Sequence, residues 1–379
     1  MAEIAAGLRR RHFDPFLDGT AESAEWWFRP AIMSNWKIMT CGETGLAACA
    51  VAGYLPDAGE ILARSAQGVL QVLDAVPAEG DWPEGVGYWF GTLRYGLQYA
   101  RALHRLTGGA VDLFQHPALR VTGDFLTMLT TPAGAVYNFN DCDPEFGAGL
   151  SEVLALLAAS SGRGDWMAVA RAHPAETLLY LAYDDPAIAD TPLPRAVAAF
   201  PTAGAATMRA ARTFVGLKSG PAQAGHSHLD ANSFVIEAGG APLVHDYRYW
   251  PQAHFLGYFD GGGPRWHFDG LATIGHSTLL VDGKGQAYAD GCGGRIVEAS
   301  DHGEWARLVG DAAGAYPGLL TQFTRTVLLL KPDVIVIRDR VACAGERDLE
   351  WLLHHAGTVT SRGRDSIIEH QGVRLAVTP

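Results

Sequence analysis

Apolar residues recur at helical spacing through the first half of the chain. Between about residues 31 and 185, Ala and Leu return every three or four positions, which is typical of amphipathic helices. The clearest stretches are TGLAACAVAGYL, ILARSAQGVLQVLDAV, GTLRYGLQYARALHRLTG and SEVLALLAASS. Pro and Gly clusters such as LPDAGE and VPAEGDWPEG separate them and predict loops of modest length. The pattern predicts a bundle or a toroid of helices.

The hydrophobic period changes after about residue 200. Short β-branched runs broken by turn residues follow one another, and LLLKPDVIVIRD and VIEAGGAPLV each have the pattern of a β-hairpin. Helices first and strands afterwards indicate segregated domains, with the boundary in LPRAVAAFPTAGAA, near residues 193 to 205. We therefore predict a multidomain α+β protein. Its helical domain spans residues 1–195, and an antiparallel β-sandwich spans residues 200–379.

Composition and charge narrow the class of partner. The chain has 379 residues, of which 48% are hydrophobic and 18% charged, as in globular proteins. The formal net charge of −12 argues against wholesale binding to nucleic acid or to an anionic membrane. An acidic substrate would have to bind in a basic pocket, where local positive charge outweighs the negative net charge of the protein.

Cysteine usage and the first residues bear on the compartment. Five widely spaced cysteines without a C-x-x-C pair favour reduced thiols over a disulfide framework. The opening MAEIAAGLRRRHFDPF lacks the apolar core of a signal peptide, and we find no apolar run of membrane-spanning length. If the chain is complete, we expect a soluble cytoplasmic protein.

The stretch GHSHLDANSF, residues 225–234, carries two histidines where a strand is predicted. On a strand, His226, His228 and Asp230 would leave from one face. A solvated strand edge, a metal site and an acid–base pair are all compatible with that pattern. Asp246 in VHDYRYW and His276 in IGHSTLLVDG lie beside other apolar strand runs. With His228 they could supply three nitrogen and oxygen ligands for zinc.

Two places in the helical half carry polar and aromatic residues together. The motif SNWK puts Asn35 and Trp36 early in a helix. The motif WPEGVGYWFGTLRYG puts Glu84, Tyr88 and Trp89 at the entry to another. Aromatic rings in such numbers suit stacking on sugars. Core tryptophans and a tyrosine that caps a helix are the alternative.

Taken together, these motifs resemble those of the heparinase II/III-like polysaccharide lyases. The resemblance rests on NW, EG-x-G-Y-W, GHSHLD-x-x-SF, GAPLV followed by an aspartate, RW, GHSTLLVDG and the late strand pair RTVLLLKPDVIVIRDRV. It covers about residues 30 to 360 and is most specific between residues 217 and 286. It implies an incomplete (α/α) toroid followed by a β-sandwich. It also implies β-elimination on uronic-acid polysaccharides such as heparan sulfate and alginate.

The same resemblance implies a role for each motif residue. It implies that His228, Asp246 and His276 are the ligands of a zinc ion. Because β-elimination consumes no water, we expect this zinc ion to be structural. Asn35 and His226 would stabilise the charge that develops at the uronic carboxylate.

Proton transfer is expected to fall to tyrosines. Tyr88 would move the C5 proton, alone or shared with a histidine, and Tyr249 or Tyr247 would be a second catalytic tyrosine. Among the predicted substrate-binding residues, Arg265 is the first choice to hold a carboxylate through two parallel hydrogen bonds. The other predicted substrate-binding residues are Trp36, Glu84 and Trp89.

Members of that family are normally longer, so the chain is either a compact member or a fragment. A fragment would come from a periplasmic or secreted protein by the same resemblance. Two other functions stay open at this stage. One is a carbohydrate-binding protein of this fold without turnover. The other is a zinc hydrolase, although the chain has no H-E-x-x-H motif.

Overall fold

Helices precede strands along the chain in the computed structural model, which describes residues 1–23, 25–30, 34–247 and 256–379. The helices end by Tyr183 and the first strand begins at Val197. The α+β fold class predicted from the change of period is confirmed.

Contacts divide the chain into two compact units, each with segments that are discontinuous in sequence. The strand unit takes residues 81–87 and 125–146 from the region for which a helical domain was predicted. Both segments matter below, because they carry Glu84 and Asp141. The helical unit consists of Met1–Gly80, Tyr88–Asp124 and Gly147–Pro192, and the strand unit of Asp81–Gly87, Phe125–Phe146 and Leu193–Pro379.

The four helical stretches predicted from periodicity are confirmed as parts of α3, α4, α5 and α7. Helix α3 begins after Ser34, whose hydroxyl accepts a hydrogen bond from the Trp36 backbone N–H at 3.2 Å. Among the described residues, none of the helices combines the length and the apolar character needed to cross a lipid bilayer. The helices are α1 Ala2–Leu8, α2 Asp14–Thr20, α3 Asn35–Val51, α4 Ala58–Ala75, α5 Val86–Leu106, α6 Gly123–Leu129, α7 Ala148–Ser161, α8 Gly164–Ala172 and α9 Leu178–Tyr183.

Five antiparallel strands form the first sheet of the strand unit, in the order β1-β2-β3-β4-β5. The predicted hairpin VIEAGGAPLV is confirmed as the β4–β5 pair. Gly239 and Gly240 make its turn with positive φ angles, which glycine adopts without steric cost. The strands are β1 Val197–Phe200, β2 Ala205–Ala210, β3 Thr213–Lys218, β4 Ser233–Ala238 and β5 Ala241–Val244.

A second antiparallel sheet has the order β10-β9-β8-β7, and its β9–β10 pair confirms the other predicted hairpin. Along β9 every second side chain is buried, the two-residue period of a half-covered strand. The remaining strands form two smaller sheets, β6 with β11 and β12-β13-β14. The bounds are β6 Leu279–Val281, β7 Arg295–Asp301, β8 Trp305–Asp311, β9 Gln322–Leu330, β10 Val334–Ala342, β11 Leu349–Trp351, β12 Thr358–Arg362, β13 Asp365–His370 and β14 Val373–Val377.

The core of the strand unit lies between these two large sheets. Met208, Leu217 and Ile236 of the first sheet share one buried cluster with Leu308 and Val327 of the second. Two sheets that face each other across a common apolar layer form a β-sandwich. Each fully buried aliphatic side chain contributes about 1.5–3 kcal/mol to that layer. The sandwich thus provides a rigid base for the loops at its edge.

Candidate active site and metal centre

The GHSHLD segment is a loop, so the prediction that its histidines lie on a strand is wrong. Strand β4 begins only at Ser233, and His226 has a φ angle of 59°, which a strand residue does not adopt. The loop passes close to Glu84: a Cβ atom on Gly225 would lie 2.4 Å from Glu84 Oε1, so a larger residue there would require the Glu84 side chain to move. Both histidines instead turn toward a buried carboxylate.

That carboxylate is Asp141, and four side chains converge on it. Its Oδ2 lies 3.0 Å from His226 Nδ1, and its Oδ1 lies 3.1 Å from His228 Nε2. Tyr258 donates its hydroxyl to Oδ1 at 2.9 Å. Arg265 Nη2 donates to both oxygens, at 3.0 and 3.1 Å. A fully buried charge is tolerated because each oxygen has several donors.

Asp141 is ionised, and this fixes how the two histidines carry their protons. Burial alone would raise the pKa of Asp141, but hydrogen bonds from His226 and His228, with the nearby His228 and Arg265 charges, hold the pKa well below its usual range. An ionised carboxylate only accepts hydrogen bonds. His226 therefore donates through Nδ1, and His228 donates through Nε2.

His226 is the more accessible of the two histidines, with 23% of its side chain exposed. Its Nε2 lies 3.8 Å from Glu84 Oε1, while Trp82 donates its indole N–H to Glu84 Oε2 at 3.0 Å. The ring also lines a cavity of about 260 Å³ together with Phe259 and Tyr288. His226 is thus oriented by a buried group and borders an open cavity.

His228, Asp246 and His276 come together in the strand unit. All three are buried, and one donor atom of each lies within 4.8 Å of the others. His276 Nδ1 lies 2.8 Å from Asp246 Oδ1. Burial opposes the charged form of both groups, but their mutual attraction and hydrogen bond outweigh it, so the pKa of Asp246 is lowered and that of His276 is raised. The long-range grouping proposed from the motifs is present in space.

The donor atoms of this cluster fit a zinc ion. His228 Nδ1 and His276 Nε2 are buried and have no hydrogen-bond partner among the described residues. Two imidazole nitrogens and a carboxylate are a common ligand set for zinc. The hydrogen bond of His228 to Asp141 is also typical of metal-binding histidines, which donate their second N–H to a carboxylate. These residues would therefore accept the zinc ion that the motifs suggest.

Arg265 occupies a different place from the one predicted for it. It was expected to hold the substrate carboxylate, but the residue is 4% exposed and makes its two-oxygen contact with Asp141. It also donates to the backbone carbonyls of Tyr258 and Ser227, each at 2.8 Å. Because these acceptors already occupy its terminal nitrogens, we reassign Arg265 from substrate binding to support of Asp141.

Four predicted residues lie in the helical unit, and their surroundings differ. Asn35 opens α3, where its Oδ1 accepts a hydrogen bond from the Trp36 backbone N–H at 2.9 Å, and Trp36 is 61% exposed. Tyr88 is half-buried near the start of α5. Trp89 is 1% exposed and donates its indole N–H to Thr122 at 2.7 Å. Its predicted role in substrate binding is therefore wrong, because a buried ring with a satisfied N–H serves packing.

Tyr249, predicted as a catalytic tyrosine, lies outside the described residues. Its alternative, Tyr247, is 41% exposed, and its backbone N–H donates to Asp246 Oδ1 at 2.7 Å. The choice between the two tyrosines stays a prediction.

Sequence reasoning missed Asp141 and Tyr258. Asp141 ends the alternating run VYNFND inside a region read as helical, and this alternation, with three polar residues, is the signal that could have drawn attention to it. Asn140 beside it has a φ of 60° and donates through Nδ2 to the Pro83 carbonyl at 2.9 Å. The segment is thus bent and anchored so that Asp141 points at the histidines.

Comparison with known proteins finds one family model and several solved structures similar to this chain. Residues 192–375 match the family model described as Heparinase II/III-like, C-terminal. A crystal structure of heparinase III has a TM-score of 0.68 at 14% identity, over 89% of this chain and 52% of that one. Heparan sulfate lyase HepC from Pedobacter heparinus has a TM-score of 0.64 at 15% identity, over 90% and 51%.

A third structure, chondroitin AC lyase of Streptomyces coelicolor A3 with chondroitin sulphate, has a TM-score of 0.53 at 15% identity, over 90% of this chain and 53% of that one. At such identities the likeness concerns the fold. It confirms the predicted class, an incomplete (α/α) toroid followed by a β-sandwich. This chain spans about half the length of the solved structures it matches.

Proposed function

We propose that this chain, whose residues 192–375 match the heparinase II/III-like, C-terminal family model, is a polysaccharide lyase that cleaves uronic-acid-containing chains by β-elimination. One observation carries the proposal: His226, whose Nδ1 contacts the buried Asp141 carboxylate, lines a cavity in the strand unit. The names of the matched structures, which include heparan sulfate and chondroitin lyases, support the class of reaction. These names do not determine which polymer this chain would cleave.

We assign His226 as the general base. Its Nδ1 would donate to Asp141, and its Nε2 would accept the proton from the substrate. In β-elimination the base removes the C5 proton of the uronic acid, the C4–O4 bond breaks, and a C4–C5 double bond forms. We assign the C5 proton to His226 Nε2, which replaces the role at the uronic carboxylate that the motifs suggested for it and leaves Tyr88 the second proton transfer. Asp141 and Glu84 flank the imidazolium that results and stabilise its charge.

The remaining roles follow the motif resemblance. Asn35 would donate to the uronic carboxylate and stabilise the enolate-like charge that develops there. Tyr88 would give its hydroxyl proton to the departing O4 and be reprotonated by solvent. Trp36 is the exposed ring that would stack on a sugar face. Tyr249 remains the proposed second tyrosine, with Tyr247 as its alternative.

The proposed zinc ion would be held by His228, Asp246 and His276. When bound, it would cross-link the GHSHLD loop to the end of β5 and the start of β6. Elimination consumes no water, so we assign the metal a structural role. The residues that move protons are separate from it.

An absorbance assay tests this function. The protein is incubated with heparan sulfate, chondroitin sulfate, alginate and hyaluronan, and the unsaturated uronic product is followed by its ultraviolet absorbance. We expect the signal with at least one polymer and its loss in His226→Ala. Binding of a polymer without this signal would favour a carbohydrate-binding protein, and new reducing ends without unsaturation would favour a hydrolase.

A further inference from the structure

We infer that residues 289–294 form the wall of a second sugar subsite beside His226, and that this subsite takes a sugar without a carboxylate, such as a neutral hexose or an N-acetylated hexosamine. The inference rests on the proposed function, because the ligand is taken to be the polymer that this function cleaves. It goes further by naming the class of the sugar next to the uronic acid. The residues that carry it all lie in the strand unit.

A cavity of about 730 Å³ adjoins the cavity of about 260 Å³ that His226 lines. Gln223 and Ala224 line both, so the two cavities meet at these residues. The smaller cavity lies just below the range of roughly 300–1,000 Å³ that is usual for ligand sites, and the larger one lies inside it. A polymer whose uronic acid lies against His226 can therefore continue past Gln223 into the larger cavity.

The wall of the larger cavity is a glycine-rich loop fastened to the segment that precedes GHSHLD. The Ala222 N–H donates to the Cys292 carbonyl at 3.0 Å, and the Gly294 N–H donates to the Gly220 carbonyl at 2.8 Å. Gly293 has a φ angle of 126°, and a Cβ atom there would lie 2.5 Å from backbone atoms of Gly220 and Ala222. Only glycine fits at this position without movement of the backbone. A wall held in this way costs little to order when a ligand binds.

The charged groups on the larger cavity suit sugar hydroxyls better than an anion. Arg295 donates to Asp311 Oδ2 at 2.9 Å, so these two charges offset each other. Asp290 also lines the cavity, and it has no hydrogen bond or ion pair with any residue that the structure describes. Its negative charge repels a carboxylate, whereas hydroxyls can donate to Asp290 and accept from Arg295.

Tyr288 adds an aromatic surface directly before this loop. It is 38% exposed and lines the smaller cavity together with His226. Its ring centroid lies 4.6 Å from that of Trp266, whose indole N–H donates to the Gly261 carbonyl at 2.8 Å. A ring that is packed on one side and open on the other suits stacking on a sugar face.

Titration with oligosaccharides tests the class of sugar. Tetrasaccharides of hyaluronan, unsulfated chondroitin and unsulfated heparan alternate a uronic acid with an N-acetylated hexosamine, whereas alginate carries a carboxylate on every unit. The titration uses His226→Ala if the protein cleaves these probes, and the unaltered protein if it does not. We expect at least one alternating tetrasaccharide to bind about fivefold more tightly than alginate, the effect of one nearby unit charge in water. Equal or tighter binding of alginate, or binding of none of the probes, would overturn the inference.

Asp290→Asn tests the charge that makes this distinction. The amide keeps the size of the side chain and removes its charge, so the preference for the alternating tetrasaccharide should fall about fivefold. Asp333→Asn is the control, because Asp333 is an exposed acid of the same unit in the turn between β9 and β10. An unchanged preference in Asp290→Asn, or an equal fall in Asp333→Asn, would contradict the role of Asp290.

Protection of a thiol locates the ligand. Cys292 is free, half-buried and lines the larger cavity, whereas Cys343 is free and half-buried elsewhere in the strand unit. With the tetrasaccharide at about ten times its Kd, alkylation of Cys292 should slow about tenfold, because only the unbound protein reacts, and that of Cys343 should not change. Unchanged alkylation of Cys292 would overturn the inference. The absorbance assay decides the proposed function separately: binding and protection without an unsaturated product would support this subsite in a protein that is not a lyase.

Discussion

His276 Nδ1 lies 2.8 Å from Asp246 Oδ1, and both side chains are buried. The pair depends on mutual attraction, because burial opposes the charged form of each group. Its nearest neighbour in the cluster is His228, whose ring centroid lies 5.3 Å from that of His276. If one member is removed, the remaining buried groups lose the charged partner that offsets the cost of their burial. Substitutions in this cluster should therefore reduce the stability of the strand unit.

Loss of a cluster histidine should therefore affect metal content and stability together. We expect His276→Ala to abolish stoichiometric zinc binding. It should also lower the free energy of unfolding by about 3–5 kcal/mol, because it leaves the buried Asp246 carboxylate without its histidine partner. Metal analysis and chemical denaturation measure the two effects. His302→Ala is the control, because His302 is exposed and stacks on Trp305. Full zinc retention in His276→Ala would remove this residue from the metal site.

Removal of the proposed zinc ion by a chelator should destabilise the protein without changing the products of the reaction. A structural zinc ion stabilises the native state, and we expect its removal to lower the melting temperature by roughly 5–10 °C. The residual activity should yield the same unsaturated products from the same polymer. A product without unsaturation, or a change of polymer, would instead indicate that the metal takes part in the reaction.

Tyr88→Phe tests the proposed acid. The substitution removes only the hydroxyl, so polymer binding should survive while kcat falls about 10²–10⁴-fold. Steady-state kinetics and a binding titration measure both, with Tyr54→Phe as the control, because Tyr54 is an exposed tyrosine of the same helical unit. Near-normal turnover in Tyr88→Phe would transfer the role to Tyr249 or Tyr247.

Arg265→Lys tests the support of Asp141. Lysine keeps the charge but cannot contact both carboxylate oxygens and two carbonyls at once. We expect the free energy of unfolding to fall by about 1–3 kcal/mol and kcat to fall with it. Arg295→Lys, at an exposed pair with Asp311, should change neither quantity. An effect on KM alone would restore the original view of Arg265 as a substrate ligand.

Substitutions of Trp36 and Trp89 should distinguish a side chain that binds polymer from one that packs in the core. Trp89→Phe removes a buried indole and its hydrogen bond to Thr122, so stability should fall by about 1–3 kcal/mol while polymer affinity stays the same. Trp36→Ala, at an exposed site, should leave stability within about 0.5 kcal/mol but weaken polymer binding. Thermal denaturation and a binding titration would show whether the two variants diverge in this way.

The sequence predicted elements better than it predicted the surroundings of individual side chains. Helices such as α4 and hairpins such as β9–β10 depend on local periodicity, which is visible in one sequence. The partners of Arg265 and Trp89 depend on residues far away in the chain, and such pairings leave no local pattern. The Asp141 contacts join positions up to 124 residues apart, so the centre of the site became apparent only in three dimensions.

The fate of solvent oxygen during cleavage tests the central claim most directly. The protein is incubated with an acidic polysaccharide in water enriched in heavy oxygen, and the products are weighed by mass spectrometry. A lyase that uses His226 to remove the C5 proton should give unsaturated products with no oxygen from solvent, and His226→Ala should give none. Saturated products that carry heavy oxygen, or cleavage that persists undiminished in His226→Ala, would contradict the proposal.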